Sequence, residues 1–218
     1  EKFMILDEFA NFFPNKSYFV RSIYFDDEFN SNFDEKVDGF RIRKKFRLRY
    51  YDRDLIKSPI YLETKGRNLE RTYKRRVKLD LQDFDLILKE KSLNDLLKKY
   101  PKNPIIQEFV FEYYKKSLKP KVLVDYNREP FVNKHGLYFR LTFDQNLKCK
   151  NLNKNLKNIV INQDIMCKAG YTILEVKFDR SIPLWFHRII QSYNLTRQSI
   201  SKFVLGMCYT NLGEETSD

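Results

Sequence analysis

Alternation of apolar and polar positions is the strongest pattern in this chain, and residues 40–52 (FRIRKKFRLRYYD) show it best. The odd-numbered positions from Arg41 to Arg49 are all basic, whereas the even-numbered positions are apolar apart from Lys44. A period of two predicts a β-strand with one charged and one apolar face. The same alternation predicts further strands at residues 1–5, 17–27, 59–67, 71–80, 121–132, 137–147 and 171–179.

Apolar residues change to helical spacing between the fifth and sixth predicted strands and again near the end of the chain. Intervals of three and four residues predict one helical face. The helices are placed at residues 81–100, 103–120, 183–195 and 197–209, and residues 30–39 are predicted to be a loop. Because no internal repeat or flexible linker interrupts the chain, we expect residues 1–218 to form a single domain of the α+β class.

The charged strand faces predict how the sheet is arranged. Glu175 and Lys177 share a face opposite Leu174 and Val176, and Arg140 alternates with apolar neighbours in the same way. If all charged faces point inward, the strands close around a charged tunnel, with the apolar faces outward beneath the helices. Small barrels usually fill their interior with apolar side chains. The pattern therefore predicts a tunnel that receives a polyanion.

The overall charge supports a polyanionic partner. Lys and Arg number 41 against 29 acidic residues, which gives a formal charge of +12. Such an excess suits nucleic acid, acidic lipid or a phosphate-rich small molecule. Binders of single-stranded nucleic acid interleave exposed aromatic and basic residues on one sheet face. Here the aromatic residues mostly alternate onto the opposite face, so a nucleic-acid partner is not expected.

The cysteines, the apolar runs and the absence of common motifs restrict the cellular location and the chemistry that the sequence predicts. The chain has three cysteines without CxxC spacing, so neither a disulfide framework nor a structural zinc site is predicted, and we expect a cytoplasmic location. No apolar run approaches the roughly 20 residues that span a membrane. The chain begins at Glu1 without a Met, which suggests a trimmed N-terminus. No P-loop, GxGxxG, HExxH or GxSxG motif is present.

Cations on separate predicted strands are the main candidates for a binding site. For any single one of them a solvated strand face is the more common explanation, but the joint pattern suggests a ligand, because guanidinium groups suit phosphate oxygens. Glu175 and Glu63 are candidate ligands of a divalent metal, because a metal that bridges phosphates needs only one or two protein carboxylates. Alternatively, each carboxylate pairs with a neighbouring cation. The candidate cations are Arg47, Arg49, Lys65, Lys74, Arg128 and Arg140.

Several stretches in order resemble a known family. The stretches are VRSIYFDD, DEKVDGFRIRKKFRLRYYD, YLETK, KPKVLVDYNREPFV, RLTFD, ILEVKFD and SISKFVLGM. Together they resemble the VTC domain, the polyphosphate polymerase module of the triphosphate tunnel metalloenzyme (CYTH-like) superfamily, in its bacterial type. The resemblance runs from about Lys2 to Met207, and it is the ordered set that makes it specific.

The resemblance implies an antiparallel β-barrel that forms a tunnel, with flanking helices. It also implies an enzyme that transfers the ATP γ-phosphate to a growing polyphosphate chain with Mn²⁺ or Mg²⁺. ATP, pyrophosphate and polyphosphate are the implied partners. The implied site comprises catalytic Arg47, Arg49, Lys65, Arg128 and Lys202, phosphate-binding Lys2, Lys36 and Lys74 (or Arg76), and the metal ligand Glu175. Arg140, Lys177 and Ser201 are added as predicted phosphate contacts, and Glu63 as a second metal ligand. Ser199 replaces a basic residue of some relatives.

Three other functions remain open at this stage. A triphosphatase would use the same tunnel with water as the acceptor, and a non-catalytic module would only bind polyphosphate or nucleotide there. Outside the family, the charge also allows a nucleic-acid-binding protein. Phosphoryl transfer to an ionised phosphate oxygen needs positioning and charge neutralisation rather than a strong general base. The sequence makes no prediction of the oligomeric state.

Overall fold

A nine-stranded antiparallel sheet forms the centre of the computed structural model, which describes residues 3–13, 15–89, 92–134, 138–152 and 165–213. The strands are β1 (Met4–Leu6), β2 (Tyr18–Asp26), β3 (Ile42–Tyr50), β4 (Ile60–Asn68), β5 (Arg71–Leu79), β6 (Lys119–Asn133), β7 (Phe139–Asn151), β8 (Ile165–Met166) and β9 (Ile173–Phe178). The helices are α1 (Glu8–Asn11), α2 (Ser31–Val37), α3 (Leu81–Leu88), α4 (Asn94–Lys99), α5 (Pro104–Lys116), α6 (Leu184–Ser192) and α7 (Lys202–Tyr209).

The strand order is β5-β4-β3-β2-β6-β7-β8, with β1 paired to β6 and β9 paired to β7. The predicted α+β class, an antiparallel sheet with flanking helices, is confirmed. The predicted closed barrel is only loosely right, because within the described residues no ladder joins β5 to β9. Burial lowers the pKa of Lys65 on β4 and Glu175 on β9 opposes this, so these two side chains lie within electrostatic reach of each other.

The outer face of the sheet carries the larger apolar core. Phe46, Leu48 and Tyr50 of β3 lie on this face and are at most 2% exposed. They belong to a cluster that includes residues of α3, α4 and α5, among them Phe84 and Phe109. The prediction that the apolar strand faces look outward beneath helices is therefore confirmed. Burial of this face fixes which way β3 is turned, so its odd-numbered residues must lie on the inner face.

The inner face is covered at one end by α7 and α2. Tyr24, Val122 and Val124 pack there against Phe203 and Met207 of α7. Gly206 allows this close approach, since a Cβ at its position would lie 2.9 Å from a methyl group of Val124. A third, smaller cluster places α6 against β7 and β9. The helix that begins at Lys202 is thus pressed into the inner face, beside the charged strand residues.

Two local predictions of secondary structure need correction. Residues 30–39 are not a loop, because α2 occupies most of them; Asp26 accepts hydrogen bonds from the backbone N–H groups of Asn32 and Phe33 and so fixes its first turn. The last predicted helix, 197–209, begins only at Lys202.

Among the described helices, none combines the length and apolar character that crossing a membrane requires.

A disulfide bond joins Cys149 and Cys167, so the prediction that the cysteines form no disulfide was wrong. The cause is the pairing of β7 with β8, which sets Cys149 opposite Ile165, two residues before Cys167. The spacing of the cysteines in the sequence does not reveal this register. The cysteines consequently give no support to the prediction of a cytoplasmic location.

Candidate active site

Arg47 and Arg49 lie on the inner face of β3 and are held by side chains of neighbouring strands. Arg47 donates from Nε to Oε2 of Glu63 at 2.8 Å, and its Nη2 lies 2.7 Å from the same oxygen. Its Nη1 donates to the Tyr24 hydroxyl at 3.0 Å. Arg49 donates from Nε to Oγ of Ser22 at 3.0 Å. Both guanidinium groups are therefore fixed in orientation before any ligand arrives.

Glu63 is the carboxylate at the centre of a first group of charges, which includes Arg47 and Arg49. Its side chain is 1% exposed, and its Oε1 lies 2.8 Å from Nζ of Lys74. Burial would raise the pKa of Glu63, but Arg47, Arg49 and Lys74 lower it to about 2. Both oxygens of this carboxylate contact cations, so the geometry gives Glu63 the task of orienting Arg47 and Lys74. It does not favour the metal-ligand role predicted for Glu63 from the sequence.

Arg128 is the centre of a second group of charges. It donates from Nε and Nη2 to the two oxygens of Asp144 at 2.6 and 2.7 Å, and Nη2 also contacts Oε2 of Glu175 at 3.1 Å. Lys202 lies 2.7 Å from Asp144, and Lys177 lies 3.3 Å from Glu175. The structure thus brings together four residues predicted from the sequence, and it adds the fully buried Asp144.

Tyr126 connects the two groups of charges. The guanidinium of Arg128 and the ammonium of Lys202 lie 5.3 and 4.9 Å from its ring centroid. Its hydroxyl accepts a long hydrogen bond of 3.4 Å from Nη2 of Arg49. Residues from β3, β6 and α7 therefore meet in one cleft, although no motif in the sequence indicated this role for Tyr126.

Glu175 is the carboxylate best placed to bind a metal ion. Burial would raise its pKa, but Lys177, Arg128 and Lys202 lower it to about 2, so it is ionised at neutral pH. Its side chain is 38% exposed, in contrast to Glu63 and Asp144. No group of three or more Asp, Glu, His or Cys ligands occurs in the described part of the chain. The donor set fits a hard divalent ion that takes its other ligands from phosphates and water.

Three lysines line the end of the cleft near α2 and α7. In the residues that the structure describes, Lys36, Lys45 and Lys65 form no ion pair with a carboxylate. Burial lowers the pKa of Lys45 to about 8; Tyr24 opposes this, whereas Lys36 and Lys65 add to it. The Lys45 ammonium lies 4.7 Å from the ring centroid of Phe203. Lys45 belongs to the basic stripe of β3, but no motif in the sequence distinguishes it from the other cations of that stripe.

Tyr24 shares the cationic environment of Lys45. Its side chain is buried, which would raise its pKa, but Arg47 and Arg49 lower that pKa to about 8. A phenol with this pKa gains negative charge at the same pH at which Lys45 loses positive charge. The site therefore becomes less positive as the pH rises through 8.

The other predicted site residues lie nearer the edges of the cleft. Arg76 is opposite Glu63 in the β4–β5 ladder and lies 4.7 Å from the ring centroid of Tyr61. Arg140 pairs with Asp7 at 3.2 Å. Ser201 caps α7, since its hydroxyl accepts from the N–H of Val204. Lys2 lies outside the described residues.

This fold and this site define a class of protein: an antiparallel sheet that faces a cation-lined cleft suited to phosphate-rich ligands. The chain belongs to the VTC domain family, whose profile matches residues 1–211, and this confirms the resemblance seen in the ordered motifs. It is similar to a solved structure described as a putative adenylate cyclase from Bacillus halodurans, with 12% identity, 91% of each chain covered and a TM-score of 0.46. Comparison with curated proteins gives no match. Family membership supports an enzyme that handles polyphosphate or nucleotides.

Proposed function

We propose that this protein is an ATP-dependent polyphosphate polymerase that transfers the ATP γ-phosphate to a growing polyphosphate chain. The observation that carries the proposal is a convergence of charged groups in a single cleft. These are fixed guanidinium groups, lysines that have no carboxylate partner among the described residues, and one ionised, accessible carboxylate. Arg47, Arg49 and Arg128 supply the guanidinium groups, and Glu175 is the carboxylate. Fixed cations suit a reaction in which charge on phosphate oxygens must be neutralised.

The proposed reaction needs little covalent chemistry from the protein. An ionised terminal oxygen of the acceptor chain attacks the γ-phosphorus, a new P–O–P bond forms, and the bond to the β–γ bridging oxygen breaks to release ADP. No proton is transferred, so no general base is required. Arg47, Arg49, Lys74 and Lys202 bind and orient the phosphates. Glu175 would hold a Mn²⁺ or Mg²⁺ ion, which neutralises phosphate charge when bound.

Incubation with ATP, Mn²⁺ and pyrophosphate, with the products resolved on a gel, tests the proposal. We expect a ladder of polyphosphate chains and stoichiometric ADP. Arg47→Ala should reduce this activity by roughly 100-fold or more, because a fixed donor to the developing charge is lost. Arg75→Ala is the matched control, since Arg75 lies on the outer face of β5, 3.5 Å from Glu108.

Each alternative function has its own outcome in this assay or in a parallel measurement of tripolyphosphate binding. Free phosphate without a ladder, with the same dependence on Arg47, would identify a triphosphatase. Binding of tripolyphosphate without any turnover would identify a non-catalytic module. If duplex DNA displaces the ligand bound in the cleft as readily as tripolyphosphate does, the cleft is a nucleic-acid-binding surface. That result would contradict the proposal.

A further inference from the structure

Five aromatic side chains gather at the end of the inner face beyond Arg49. Their ring centroids form a chain of neighbours 5.0 to 6.3 Å apart. Tyr61 lies opposite Arg49 in the β3–β4 ladder, and the exposed Arg76 places its guanidinium 4.7 Å from the Tyr61 ring centroid. The five rings, called here the aromatic end, are those of Phe9, Phe13, Tyr18, Tyr51 and Tyr61.

The aromatic end and the lysine-lined end of the cleft suit different parts of a substrate. Lys36, Lys45 and Lys65 offer positive charge at one end, where polyphosphate needs it. At the aromatic end, Tyr51 and Tyr61 are only partly buried, so their rings remain accessible to a planar ligand. Nucleobases stack on aromatic rings and on guanidinium planes.

We propose that Tyr61 and Arg76, with Tyr51 beside them, bind the nucleobase of the nucleoside triphosphate. This inference rests on the proposed function, because it locates the base of the same ATP whose phosphates contact Arg47 and Arg49. It replaces the phosphate-binding role predicted for Arg76 from the sequence with a stacking role. It also gives the cleft a direction: the nucleoside enters at the aromatic end, and the growing chain leaves past Lys45 and Lys65.

Titration calorimetry with ATP and with inorganic tripolyphosphate separates the base from the phosphates. Tyr61→Leu removes the ring but keeps an apolar side chain. Arg76→Lys keeps the charge but removes the planar group, and Arg76 is exposed, so this variant should fold normally. Each variant should weaken ATP binding about tenfold while changing tripolyphosphate binding less than about twofold. Tyr193→Leu, at a strongly exposed tyrosine after α6, is the matched control and should change neither affinity.

The possible outcomes distinguish this inference from the proposed function. Equal weakening of both ligands by Arg76→Lys would mean that Arg76 contacts phosphate, and unchanged ATP affinity in both variants would mean that the base binds elsewhere. Either result overturns the nucleobase subsite and leaves the polymerase assay unaffected. A wild-type protein that binds tripolyphosphate but not ATP would overturn both proposals.

Discussion

Replacing Glu63 by Gln tests whether one buried carboxylate holds the central cations in place. Glu63 is 1% exposed and lies 2.7 Å from Arg47 and 2.8 Å from Lys74. Burial would raise its pKa, but Arg47, Arg49 and Lys74 together lower it from 4.5 to about 2. A difference of this size corresponds to about 3 kcal/mol in the free energy of unfolding.

The sign of the effect follows from the direction of the shift. Because the pKa of Glu63 is lower in the folded state than in the unfolded state, its contribution is fully present above about pH 4.5 and is lost as the pH falls through about 2. We expect Glu63→Gln to lower the free energy of unfolding by about 3 kcal/mol at pH 7, measured by urea denaturation. By about pH 3 the difference from the wild type should have fallen to roughly half.

Glu70→Gln is the control for this experiment. Glu70 lies in the turn between β4 and β5, its side chain is 82% exposed, and it pairs with Arg67 at 3.5 Å. An exposed pair of this kind contributes less than about 1 kcal/mol, so the control should be close to the wild type at every pH. A Glu63→Gln deficit that stays constant from neutral to acid pH would refute the electrostatic explanation and indicate lost packing instead.

Three further predictions concern the charged cleft and the disulfide. Tripolyphosphate affinity should fall as the pH rises from 7 to 9, because Lys45 loses its positive charge and Tyr24 gains a negative charge near pH 8. Calorimetry should show a smaller fall for the Tyr24→Phe variant, and a fall identical to that of the wild type would contradict this explanation. Glu175→Gln should remove the enhancement of tripolyphosphate binding by Mn²⁺, and persistence of the full enhancement would place the metal elsewhere. Reducing the bond between Cys149 and Cys167 should lower the free energy of unfolding by about 2 to 4 kcal/mol; an unchanged urea midpoint with reductant would show that the bond contributes nothing.

The sequence predicted the faces of the strands well because alternation depends only on neighbouring residues. Phe46 and Arg47 lie on opposite faces of β3, as their spacing requires. Contacts between strands were harder to predict because they depend on register. Asp144 was missed, since its pairing with Arg128 results from the β6–β7 ladder, in which the register shifts between Asp125 and Asn127. The disulfide was missed for the same reason.

The distribution of carboxylates is the strongest physical support for the proposed phosphoryl transfer. Glu63 and Asp144 are buried and bind the guanidinium groups of Arg47 and Arg128 at 2.6 to 2.8 Å. They fix these donors in place, and such preorganisation avoids a reorganisation cost during a reaction in which charge develops. Lys45, in contrast, has no carboxylate partner among the described residues and keeps a pKa near 8. A phosphate chain would neutralise that charge and raise the pKa, so ligand binding and protonation of Lys45 must favour each other.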